Sequence, residues 1–346
     1  MKKTGKKKLW IAGASLLLAL AALAVWAVVG NTYRMEERPV VIETPQGRLT
    51  GTLALPESPD GPVGLIVFVH GDGPTNSTYD DGYKPLWEAF AAEGYASLSL
   101  DKRGVGGSEG DWLDQDMEDR AQDTQLAIDW ARSQPEIDRS RIGLWGASQA
   151  GWVIPKIVRG EPDLAFSILV APAVNWIEQG RYHTRRTMER SGSSAEEIAA
   201  AERKNADVLK LLRRGASYEE YLREAALKDT ETLSRERWTF ILKNFESDSA
   251  AELSAFKHPV HLVLGGQDLN VDSDDTETVY RAHIPAELLS VTQLPEADHS
   301  MLKRGLAESE TLTTLTAIWM PKKLFDDGYL SDMRQFLRTM EKTQTN

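Results

Sequence analysis

Residues 64–69 read Gly-Leu-Ile-Val-Phe-Val, a run without a single polar position. A strand with one wet face alternates polar and apolar side chains, so a run with no alternation has to be covered on both faces. Similar short runs follow at Tyr95 to Leu100, Arg141 to Trp145, Phe166 to Val170, His258 to Leu264 and Leu288 to Leu294. Helical spacing fills the gaps, at Pro85 to Glu93, at Met117 to Ser133, just after Ser148 and through Val279. Buried strands that alternate with helices imply an α/β fold, a mostly parallel central sheet with helices on both faces. Two shorter β-like runs, Val40 to Ile42 and Leu49 to Leu55, flank a Pro45-Gln46-Gly47 turn ahead of the first buried strand.

The rhythm stops near Asn175 and resumes near His258. Between them lie charged helical stretches such as Ala195 to Arg213 and Tyr218 to Ala226. Because strands return at once on the far side, residues 175–257 read as a helical cap inserted into a core made of residues 31–174 and 258–346. An independent helical module is the alternative.

The start of the chain is of another kind. Lys2, Lys3, Lys6, Lys7 and Lys8 sit in residues 1–8, and residues 9–30 carry no charge. Such a stretch can cross roughly 30 Å of hydrocarbon as a helix. The lysines place residues 1–8 in the cytoplasm by the positive-inside rule. The expectation is therefore a single-pass transmembrane anchor with the body of the protein outside the cytoplasm. Small residues around Ala22-Leu23-Ala24 and Val25-Trp26-Ala27 leave a cleaved signal peptide, and a secreted protein, as the rival.

Without those five lysines the chain holds 35 basic against 52 acidic residues, a net of −17, which argues against a nucleic-acid partner. There is no cysteine, hence no thiolate nucleophile, no Cys-ligated zinc and no disulfide. No HExxH and no GxxxxGK[ST] is present, so neither a zinc-hydrolase motif nor a phosphate-binding loop offers itself. No cofactor and no metal is implied.

The sharpest local signal is Leu144-Trp145-Gly146-Ala147-Ser148-Gln149-Ala150-Gly151, in which a strand ends and a helix begins at a serine flanked by small residues. A serine carried on so tight a turn needs small neighbours two before and two after it, here Gly146 and Ala150. A serine hydroxyl also needs a positioned base, and the base needs a carboxylate. Of the six histidines, His70 ends a strand, His183 lies in the insertion, His258 and His261 sit at a strand start, and His283 lies in a helix. His299, in the loop after the last strand, remains. Asp268 stands just past the end of the Leu262-Val263-Leu264 strand, where a sheet can aim a side chain. The order Ser148, Asp268, His299 is that of a hydrolase triad. For an oxyanion hole the backbone N–H of Gln149 and that of Asp72 are the candidates. Asp72 lies in His70-Gly71-Asp72-Gly73-Pro74, where Gly71 and Gly73 let the backbone come close to a ligand.

Taken together, HGDGP, the Asp101 to Ser108 turn (DKRGVGGS), GASQAGW, GGQD and DH resemble the serine hydrolases of the α/β-hydrolase superfamily. The resemblance is closest to the prolyl-oligopeptidase-like and dienelactone-hydrolase-like branch, and it covers roughly Val40 to Leu337 apart from the cap. It implies acyl hydrolysis in which Ser148 attacks, His299 shuttles the proton and Asp268 orients His299, with the Asp101 to Ser108 stretch a structural turn. Two departures stand out: Ala150 replaces the commoner glycine, and Asp72 brings a carboxylate into the oxyanion loop, its side chain expected to point away. The resulting expectation is an esterase acting on a small-molecule ester or acyl substrate. A peptidase or an acyl thioesterase on the same fold is the alternative, and a non-catalytic binding protein is the alternative of another class.

Overall fold

A computed structural model describes residue 15 and residues 25–225 and 232–344. One eight-stranded sheet runs β1 (Met35–Ile42), β2 (Leu49–Pro56), β4 (Tyr95–Leu100), β3 (Val63–Val69), β5 (Ile137–Ala147), β6 (Phe166–Val170), β7 (Val260–Gly265) and β8 (Leu289–Leu294) in spatial order. β1 pairs antiparallel with β2, and β2 with β4; every later pairing is parallel. Each residue of β3, β6 and β7 is buried, as expected of strands covered on both faces, whereas β8, the other edge of the sheet, buries only Leu294 of its six residues.

The period of two shows in how β3 divides its side chains. Leu65, Val67 and Val69 join one hydrophobic cluster, Ile66 and Phe68 the other. The first cluster is roofed by α2 (Met117–Arg132) and α3 (Ala150–Gly160), the second by α1 (Lys84–Ala91) and the C-terminal helix (Tyr329–Gln344). β1 begins five residues before the apolar Val40, at Met35. As the sheet's edge it has one strand partner, so Glu36, Glu37, Arg38 and Pro39 can stay in water.

Among the described residues, 175–257 hold the α-helices α4 (Trp176–Arg190), α5 (Ala195–Arg213), α6 (Tyr218–Glu224) and α7 (Arg235–Asn244). Ser194 with Glu197 and Ser217 with Glu220 form capping boxes that start α5 and α6. These helices keep a hydrophobic cluster of their own around Leu211, Leu212, Tyr221, Trp238 and Phe245. The two chain crossings into the insertion are zipped together. Trp176 N–H donates to the Ser247 carbonyl at 2.9 Å and Ser249 N–H to that of Val174 at 3.0 Å. After β7 the chain continues through α8 (Ser273–His283), α9 (Glu310–Trp319) and α10, the C-terminal helix (Tyr329–Gln344).

Of the expected span at 9–30, all but residue 15 and residues 25–30 lie outside the described residues. Among the described residues no helix is long and apolar enough to cross a membrane.

Candidate active site

Ser148 sits between β5 and α3 with φ at 55°, in the left-handed region that side chains other than glycine rarely occupy. Its backbone is pinned on both sides: Ser148 N–H donates to the Val170 carbonyl at 3.0 Å, and its own carbonyl accepts from Ala173 N–H at 2.9 Å. The small neighbours are needed sterically. A Cβ on Gly146 would lie 2.6 Å from both the Ala150 Cβ and the Ile154 Cδ1, and one on Gly151 would lie 2.3 Å from the Ala173 carbonyl oxygen. Gly151 escaped the sequence reading, because its constraint comes from a loop twenty residues further on.

Asp268 follows β7 and is almost fully buried. Its Oδ1 accepts from Asn270 N–H at 2.7 Å and Val271 N–H at 2.9 Å. Its Oδ2 lies 2.8 Å from His299 Nδ1. That pairing puts a proton on Nδ1 and leaves Nε2 as the basic nitrogen. Among the described residues no hydrogen bond joins His299 to the Ser148 hydroxyl, so the structure brings Asp268 and His299 together without closing the step to Ser148. Such contacts are often long in unliganded enzymes and tighten when substrate binds. The His299 loop is shaped by Asp298, whose Oδ1 accepts from Ser300 N–H at 3.0 Å and Leu302 N–H at 2.8 Å.

The His70–Gly73 loop lies on the elbow, since a Cβ on Gly71 would touch the Ser148 Cβ at 3.4 Å. Two buried cations hold its carbonyls. Lys102 Nζ donates to the carbonyls of Gly71 at 2.6 Å and Gly73 at 2.8 Å, and Arg120 Nη2 donates to that of His70 at 2.6 Å. In a planar trans peptide the C=O of one residue and the N–H of the next point opposite ways. Clamping the Gly71 carbonyl therefore aims the Asp72 N–H away from Lys102. Among the described residues neither that N–H nor the Gln149 N–H donates to a protein group. Burial draws the Lys102 ammonium well below its usual range, and the Arg120 guanidinium adds repulsion. Arg120 itself is pulled down to about 10 by burial and stays charged at neutral pH.

The Asp72 carboxylate does not hang free. It accepts from Arg237 Nη1 of α7 at 3.0 Å and from Gln149 Nε2 at 3.2 Å, while the Gln149 Oε1 accepts from Arg120. Burial alone would raise its pKa, but the Arg237 hydrogen bond and charge outweigh that and hold it low. The Asp72 side chain, expected to point away, is instead held at the wall of the Ser148 cavity by a salt bridge to Arg237. Asp72 and Arg237 both line the cavity of about 300 Å³ onto which Ser148 opens, together with Trp152, Trp176, His183 and Asn270.

The other histidines divide as follows. His70 is buried between the Tyr83 hydroxyl and the Leu100 carbonyl, and burial with the nearby Lys102 charge lowers its pKa to about 3. His258 bonds the Ser167 hydroxyl at 2.9 Å, and burial lowers its pKa to about 4. His261 lies between Ser290 and Asp332. His183, assigned by the sequence only to the insertion, reaches the Ser148 cavity, with Nδ1 3.1 Å from the Leu269 carbonyl. Arg120 and Arg237 are further site residues that carry no local motif, Lys102 lies in the Asp101 to Ser108 turn read only as structural, and the Tyr182 hydroxyl donates to the Asp268 carbonyl at 3.0 Å.

This architecture is similar to that of an esterase from Pyrococcus furiosus, with a TM-score of 0.55 and 16% identity over 88% of this chain and 91% of that one. With strand order and elbow in place, the class is defined: the protein is a serine hydrolase of the α/β-hydrolase fold. Residues 47–299 match the model of the S15 family, described as X-Pro dipeptidyl-peptidase, and the chain belongs to that family. An uncharacterized protein of Rickettsia prowazekii is 29% identical over 138 residues, 39% of this chain and 55% of its own length. The quorum-quenching protein AidA of Acinetobacter baumannii is 35% identical over 109 residues, 31% of this chain and 35% of its own. The chain therefore aligns with only part of either relative.

The buried histidines set a pH dependence of stability. A histidine whose pKa is lower in the folded state binds fewer protons there, so its contribution is fully present above about pH 6.5 and is lost as pH falls toward the folded value. For His258 that window runs from about 6.5 to about 4. The melting temperature should fall through this window, and His258→Gln should flatten the dependence by up to about 1.4 kcal/mol per pH unit. Melting curves of the two proteins with the same slope would contradict this.

Proposed function

We propose that the protein is a membrane-anchored, extracytoplasmic esterase that hydrolyses carboxylic esters through an acyl-enzyme. Ser148 Oγ attacks the acyl carbon while His299 Nε2 takes its proton, and Asp268 balances the imidazolium that forms. The N–H groups of Gln149 and Asp72 receive the oxygen of the tetrahedral intermediate. His299 returns the proton to the departing alcohol, and water releases the acyl group by the reverse roles. The strained elbow and the 2.8 Å contact of His299 with Asp268 support these assignments. Insertion helices α4–α7 act as the cap that selects substrate, and residues 9–30 as the anchor.

The observation that carries the ester reading is the wall of the Ser148 cavity. Trp152 and Trp176 stack there with ring centroids 4.9 Å apart. A peptidase that removes dipeptides has to hold a free ammonium, and Asp72, the one carboxylate on this wall among the described residues, is already taken by Arg237. A second cavity of about 560 Å³ inside the insertion shares Trp176, Gly180 and His183 with the first. Val208, Leu209, Leu212, Ile241 and Phe245 line it, which suits an apolar acyl or aryl group. The family's description favours a second reading, an X-Pro dipeptidyl-peptidase.

An aryl ester, a Xaa-Pro anilide and an acyl thioester offered to the full chain in detergent separate these readings. The aryl ester should be turned over fastest, and Ser148→Ala should lower its kcat at least about 10⁴-fold. Preference for the Xaa-Pro anilide would replace the ester reading with the peptidase. Lys102→Met removes the clamp on the oxyanion loop, so kcat for the aryl ester should drop about 10²-fold with KM little changed. A rise in KM at unchanged kcat would show instead that the loop serves ground-state binding.

A further inference from the structure

Ten large apolar or aromatic side chains are exposed among the described residues, and eight of them belong to two segments that touch. Val25, Trp26, Val28 and Val29 form one group; Leu312, Leu315, Ile318 and Trp319 of α9 form the other. Asn31 ties them, its Nδ2 donating to the Ala27 carbonyl at 2.9 Å and to the Ile318 carbonyl at 3.0 Å. Lys322 adds a second tie by donating to the Thr32 carbonyl at 2.9 Å.

Helix α9 is turned the wrong way for water. Its spacing of 312, 315, 318 and 319 makes one apolar stripe, and that stripe faces out, with Leu315 at 48% and Ile318 at 56% exposure, while Thr316 is the residue that is buried. Exposed patches of this kind mark an interaction surface. What covers this one follows from its neighbour in the chain: the uncharged stretch 9–30 ends against α9, so a bilayer crossed by that stretch would lie at this face. Trp319 and Trp26 are the residue type that gathers where hydrocarbon meets headgroups.

We propose that α9 is a second membrane contact, an interfacial helix whose Leu312, Leu315, Ile318 and Trp319 stripe is set about 5–10 Å into the boundary of headgroups and acyl chains beside the anchor. The proposal rests on the reading of residues 9–30 as a membrane span. Two attachments in place of one would fix how the sheet and the Ser148 cavity are oriented toward the lipid surface, where a flexible single anchor would not.

The chain has no cysteine, so Leu315→Cys gives one labelling position for an environment-sensitive fluorophore. Exposed Ser140 of β5, which belongs to neither apolar segment, gives the control through Ser140→Cys. The full-length variants are reconstituted into phosphatidylcholine vesicles containing lipids spin-labelled near the headgroup. The label at 315 should move to shorter wavelength and be quenched by the spin labels, and the label at 140 should do neither. A protein that floats with the vesicles but keeps the 315 label in water overturns the interfacial helix and leaves the anchor standing. A protein that fails to float overturns both. Shielding of the 315 label without lipid, at concentrations where the chain dimerises, assigns the face to a second copy and also overturns the proposal.

Discussion

Everything at this site depends on one residue held in a conformation it would not choose alone. Ser148 stands at φ 55° because β5, α3 and the segment after β6 leave the chain no other path. The Val170 carbonyl takes its N–H, the Ala173 N–H takes its carbonyl, and Gly146, Ala150 and Gly151 remove every side chain that would push these elements apart. Such strain persists only where the surroundings over-determine it. The parallel pairing of β5 with β3 and β6, with both faces roofed, supplies that surrounding. The same pairing sets the loops after β3, β5 and β7 at one edge of the sheet, where Asp72, Ser148 and Asp268 are found.

Around that turn the electrostatics are arranged by buried cations. Lys102 and Arg120 lie out of water, and among the described residues no carboxylate is directly bonded to either, which would be costly had they no acceptors. Their acceptors are the carbonyls of the loop over the elbow and the Gln149 amide. The cations are satisfied by the loop, and the loop is held in one orientation by the cations. Arg237 brings residues 175–257 into the same network through Asp72, so the His70–Gly73 loop and the helices above it are coupled by a charge pair at the cavity wall. A shift of α7 would free a carboxylate beside the elbow.

What could be read from the sequence and what could not follows the range of the interactions. β3, β6 and β7 declare themselves because a strand buried on both faces needs no polar residue, and α5 because its charged and apolar residues keep helical spacing from Ala195 to Arg213. Ser148, Asp268 and His299 are singled out by their places after strands, and His299 Nδ1 lies 2.8 Å from the Asp268 Oδ2. Lys102 sits in a stretch that reads as a plain turn, and its grip on Gly71 and Gly73 depends on β3 lying beside β4. Arg120 and Arg237 lie on helices whose charged residues look like solvated faces, and His183 was hidden for the same reason. The polar start of β1 is illegible because an edge strand needs no apolar pattern on its open side. The outward stripe of α9 has the composition of a buried helix, and its exposure emerges only when the neighbours are placed.

The central claim is that the turn at residue 148 presents an activated serine. It is tested most directly by treating the full chain in detergent with a fluorophosphonate and mapping the adduct by mass spectrometry. A single adduct on Ser148, lost in both Ser148→Ala and His299→Ala, is the result this account predicts. A folded protein that takes up no label, or carries it on another residue, would contradict it.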